Sequence, residues 1–205
     1  MFDLSQLNTG DILLFSAEWS WNPISWFAKA VEYFTSSPYS HVGVILRDPV
    51  YIDPDLKGLY LWESSFNGTP DPQDGNIKLG VQITHMKEIM KANHEIIWWR
   101  KLNCPSNKFS VFNIMKTHDI VYKKPYDFMP KDWINAYNRQ DAEPQKLNRM
   151  FCSALAACIY TNCKVLIGDT DWTIVRPSDF APENDGKYIH FQDICVLGEM
   201  IQIKP

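Results

Sequence analysis

The chain is short of what several protein classes need. Lys and Arg number 20 against 24 Asp and Glu, a formal net charge of −4. That balance lacks the basic excess that holds a phosphate backbone, so nucleic acid is not expected as a partner. No apolar run approaches the roughly 20 residues that cross a bilayer; the longest, residues 96–99 and 154–160, fall well short. The leading MFDLSQLNTGD carries Asp3 and no positive segment, unlike an export signal. Cysteine is scarce: Cys104, Cys152, Cys158, Cys163 and Cys195, with no C-x-x-C pair and no His at zinc-finger spacing. This argues against a structural zinc site, and the odd count points to reduced thiols. Internal repeats and low-complexity tracts are also missing.

Aromatic residues are plentiful, at 14% of the chain. They suffice for a dense core or an apolar groove. The length of 205 residues fits one domain, 1–205. Strand patterns occur at DILLF (11–15), HVGVILR (41–47), LYLWESS (59–65), GVQIT (80–84) and HEIIWWRKL (94–102), and the tail segments KYIHF and CVLGEMIQI read likewise. Helical patterns follow Pro23 as far as Phe34, occupy MKEIMKA, run through KFSVFNIMKTHDIVY with Ser106 or Asn107 as cap, and extend from a cap at Asn148 to about Thr161. These elements do not alternate as βαβ units. The expected class is therefore α+β, an antiparallel sheet packed against a helix.

Cys152 is the first candidate for chemistry. Leu147, Phe151, Leu155 and Cys158 or Ile159 recur at helical spacing and turn one stripe inward, and Cys152 lies near its edge in the first turns after Asn148. A helix N-terminus carries about half a positive charge and favours a thiolate, the reactive form. The plainer alternative is a small buried hydrophobe, like Cys158 and Cys163. His41 opens its strand and shares a face with Gly43 and Ile45. The missing side chain at Gly43 leaves room for another element to bring a nucleophile within reach of the imidazole. Glu63 shares a face with Leu61 and Ser65. Buried there it would need a partner, and the Nδ1 hydrogen of a catalytic imidazole would serve; an edge-strand surface glutamate is the other reading.

SHVGVIL, LWESS, PYDF and NRMFCSALAACIY, in this order after GDILLF, resemble the circularly permuted, papain-like branch of the NlpC/P60 superfamily. That branch includes YiiX-like hydrolases, poxvirus homologues and, more distantly, lecithin retinol acyltransferase-like enzymes. The matching pieces run from Gly10 to about Tyr160; the strands after about residue 165 have no counterpart. The resemblance implies a permuted papain-like fold, with Cys152 at a helix N-terminus as nucleophile, His41 as general base and Glu63 as the group that orients His41. It also implies Tyr126 as an oxyanion donor or substrate contact. The chemistry would be a cysteine hydrolase or acyltransferase working through a thioester, with no metal or cofactor. The substrate would be a peptide amide or an acyl lipid; a catalytically silent binding module of the same shape is the non-enzymatic alternative. The aromatic stretch 19–34 (Trp19, Trp21, Trp26, Phe27, Tyr33 and Phe34) is either core or a weak membrane-surface contact. A cytoplasmic or virion-associated location is expected, and nothing in the sequence sets an oligomeric state.

Overall fold

The computed structural model describes residues 2–17, 38–91, 95–127, 138–140, 145, 147–192 and 194–204. The expected helix after Pro23 and the aromatic stretch 19–34 lie outside these residues, as does His94. Six strands form one antiparallel sheet: β1 Ile12–Ala17, β2 His41–Arg47, β3 Leu59–Ser65, β4 Gly80–His85, β5 Glu95–Asn103 and β6 Val196–Lys204, in the order β4-β3-β2-β1-β5-β6. Among the described residues three α-helices join them: α1 Met86–Lys91 directly after β4, α2 Val111–Val121 and α3 Cys152–Asn162. The class is α+β, as expected. Among the described residues no helix is long and apolar enough to cross a membrane.

The central strands are apolar on both faces, and the sheet accordingly has two cores. Ile12, Leu14, Val42, Val44, Leu46, Tyr60, Trp62, Val81 and Ile83 pack under α2 and α3. Leu13, Phe15, Ile45, Leu61, Ile97 and Trp99 point the other way, against Leu7, Met86 and Ile89. The register follows from this parity, because a slip of one residue would exchange the two sets.

Helix α3 departs from the amphipathic reading. Residues 152–160 are all buried, so it is an internal strut with no solvent stripe, and Leu147, assigned to the core stripe, is 38% exposed. The cap is Phe151 rather than Asn148, without a side-chain hydrogen bond. Met150 is held in strand-like pairing with Tyr126, which keeps the chain extended until Phe151. The α2 cap is Ser110, whose Oγ accepts from Asn113 N; the turn at residues 106–109 delays the helix past Ser106 and Asn107. KYIHF makes only one isolated bridge, Leu166 to Phe191, so the tail contributes a single strand, β6.

Arg100, fully buried on β5, gathers the irregular segment before β6. Its guanidinium donates to the carbonyls of Phe180, Leu197 and Gly198 and pairs with both Asp185 oxygens at 2.8 Å. The expectation of five reduced thiols is corrected here. Cys104 and Cys195 flank the β5–β6 pair Asn103↔Val196, and this register brings their Cα atoms to 4.4 Å in a disulfide. Cys152, Cys158 and Cys163 remain free thiols.

Candidate active site

His41 is the first residue of β2 and Glu63 the fifth of β3, on the sheet face shared with Ile45 and Leu61. Their side chains meet, His41 Nε2 to Glu63 Oε2 at 2.7 Å. The carboxylate thus binds Nε2, not the Nδ1 hydrogen expected from the sequence, and Nδ1 is left for a partner on the other side of the ring. Glu63 is only 3% exposed. It is no edge-strand surface residue, because β4 flanks β3 on its outer side.

Gly43 also differs from expectation. A Cβ there would lie 2.7 Å from Leu61 Cδ1, so the neighbouring strand's side chain, not an incoming element, fills its space. The imidazole rests near Phe15, ring centroids 5.1 Å apart.

Cys152 is the first residue of α3 and is buried. Its thiol lies near enough to the His41 ring to affect that ring's protonation. Burial by itself would lower the imidazole's proton affinity. Hydrogen bonding of the protonated ring to Cys152 and Glu63, followed by the charges of both, outweighs it and holds His41 well above its ordinary 6.5. Burial pushes the thiols of Cys158 and Cys163 up to about 12, as expected of inert thiols enclosed in the core.

The stretch before α3 is fixed from two sides. Met150 N donates to Pro125 O at 3.1 Å, and Ser64 Oγ of β3 donates to Met150 O at 2.7 Å. The 124–126 segment in turn lies along the start of β4, with Val81 N donating to Lys124 O and Tyr126 N to Leu79 O. Gly80 permits this approach: at φ 143°, a Cβ would stand 2.3 Å from Lys124 O. The strut carries Tyr126 to the site. Burial raises its phenol well above the usual 10, and the charges of Cys152 and Asp127 raise it further, so the hydroxyl keeps its proton and can donate.

Of the four residues singled out in the sequence, His41 and Glu63 are directly hydrogen-bonded, and Cys152 bears electrostatically on both His41 and Tyr126. The structure also adds Thr84, Asn67 and Gln82, which the sequence did not suggest. Thr84 Oγ1 donates to Glu63 Oε1 at 2.5 Å, and Asn67 Nδ2 donates to Thr84 Oγ1 at 2.7 Å. Gln82, opposite Glu63 on β4, holds Ser65 Oγ through Nε2, while its buried Oε1 has no hydrogen-bond partner among the described residues. Only the strand register could have pointed to them.

No family model matches the chain, and a search of curated proteins finds no match either.

Proposed function

We propose that this protein is a cysteine hydrolase or acyltransferase that opens an amide bond through a thioester on Cys152. One observation carries the reading: a buried carboxylate, an imidazole 2.7 Å from it and a thiol at a helix N-terminus bear on one another through the same ring. The motif order supports kinship with the permuted papain-like NlpC/P60 branch, and with it the permuted papain-like fold.

His41 Nδ1 holds the proton of the Cys152 thiol, and the sulfur attacks the substrate carbonyl carbon, forming a C–S bond and an oxyanion. The backbone N–H of Cys152 and the Tyr126 hydroxyl are the proposed oxyanion donors; losing one such donor in other hydrolases costs about 10²–10³ in rate. His41 passes its proton to the leaving nitrogen as the C–N bond breaks. Water then attacks the thioester, gives a proton to His41, and releases the acid as the C–S bond breaks. Glu63 keeps the ring oriented and balances its charge throughout.

An acyl ester is the second reading. Phe66 and Leu79, 51% and 46% exposed, follow and precede the last β3–β4 pair Ser65↔Gly80, beside the Tyr126 strut. They form an apolar lip suited to an acyl chain.

The test is alkylation of the native chain with iodoacetamide at neutral pH, followed by peptide mass spectrometry. Selective modification of Cys152 is expected, slowed about 10²-fold or more by His41→Ala. Equal, slow labelling of Cys152, Cys158 and Cys163 would overturn the enzyme reading in favour of a silent binding module. A turnover screen of peptide and acyl-lipid substrates, with Cys152→Ala as control, separates amide from ester.

A further inference from the structure

Glu63 can orient His41 only if its own carboxylate is held. A lone carboxylate on a strand can rotate about its last torsion, exchanging its two oxygens. The β3–β4 register pairs Leu61 with Thr84 and Glu63 with Gln82, so Thr84 is the diagonal neighbour of Glu63 on the same face. Its hydroxyl, buried with the carboxylate, lies 2.5 Å from Oε1.

A hydroxyl has one proton and can be donor or acceptor. The direction is decided one step further out. Thr69 donates twice to Asn67 Oδ1, from its backbone N and from Oγ1, both at 2.9 Å. With Oδ1 fixed as the acceptor, the amide must present Nδ2 to Thr84 Oγ1, 2.7 Å away. A Thr84 hydroxyl that receives a hydrogen from Asn67 spends its own on Glu63 Oε1. Oε2 is then the oxygen left to accept from His41 Nε2, and the neutral ring must carry its unshared pair on Nδ1.

We infer that Thr84 and Asn67 are positioning residues, a one-way hydrogen-bond relay that locks Glu63 and thereby selects the base form of His41. The inference rests on the proposed cysteine chemistry. The relay enters from an exposed loop and ends at the buried ring. The titratable groups that bear on the ring are Glu63 of β3 and Cys152 of α3, while Cys152 and Asp127 bear on Tyr126.

The experiment follows the rate of Cys152 alkylation by iodoacetamide against pH in the full chain and in Thr84→Val, Thr84→Ser and Asn67→Ala, with a thermal melt of each. Thr84→Val is expected to slow labelling about tenfold at neutral pH and to move the acid limb of the profile to higher pH, because the carboxylate has lost a donor. Thr84→Ser should restore both, and Asn67→Ala should slow labelling about threefold. A merely structural role would lower the melting temperature without moving the limb. An unshifted Thr84→Val profile, with fast wild-type labelling, overturns the relay alone. Wild-type Cys152 that labels no faster than Cys158 and Cys163 overturns the relay and the cysteine chemistry together. Should Thr84→Val lose its melting transition, Asn67→Ala decides: a wild-type profile there overturns the relay.

Discussion

His41 holds its proton tightly because two neighbours outweigh the cost of burying its charge, and this has a consequence for stability. The native ring binds a proton more strongly than the ring of the unfolded chain. The stabilisation is complete below the unfolded value of about 6.5 and is lost as pH rises through the raised native value. The melting temperature of the wild type should therefore fall as pH is raised from about 6.5 into the alkaline range. Cys152→Ala and Glu63→Gln should each flatten that fall, since each removes one of the partners. Melts across the range check this, and a wild-type melting temperature independent of pH there would remove the pairing. Cys158 and Cys163 supply an internal comparison, being free thiols of the same chain that burial holds up at about 12.

Among the elements, the decisive joint is where the 124–126 segment crosses the start of β4. Gly80→Ala places a Cβ against Lys124 O and Pro125 at a backbone angle that side chains rarely adopt. The expected cost is about 1–3 kcal/mol by denaturant unfolding, together with slower Cys152 alkylation as Tyr126 and Met150 shift. A variant that unfolds like the wild type would show the crossing to be loose. This scale also marks what could be read from the chain itself. HVGVILR, LYLWESS and GVQIT announced β2, β3 and β4 through apolar density and turn residues, and the cysteine helix through its spacing. Their alternation put His41 and Glu63 on sheet faces but left the pairing of strands open. Thr84 becomes Glu63's neighbour only once β3 and β4 are in register, so its role was invisible. The helix caps were misplaced for a similar reason: Met150 is tied to Pro125 and Ser64, distant in sequence, and these ties override the local preference of Asn148. Gly43 misled because a glycine announces space without saying which neighbour fills it.

At the scale of the whole molecule, two fastenings hold the C-terminal third against β5. Arg100 collects three carbonyls and Asp185, and the Cys104–Cys195 bridge closes a loop with sequence separation 91. Arg100→Leu should cost about 3 kcal/mol, because buried carbonyls lose their donors. Replacing both bridge cysteines by serine should cost about 4 kcal/mol, if the loop-closure entropy is fully expressed. Denaturant titrations measure both. Thiol counting of the denatured chain without reductant should find three sulfhydryls, and five would contradict the bridge.

The burial of α3 on every side also bears on when the proposed activity would arise. A helix enclosed all round has no partner surface until the sheet and the segment after it have collapsed around it. The imidazole and carboxylate emerge from the ribosome long before the sulfur, and the residues beyond α3 that pack against it, Trp172, Val175 and Phe180, come later still. If Cys152 is the proposed nucleophile, a nascent or nicked chain would carry only ordinary thiols, and reactivity would appear with the final cooperative closure of the fold.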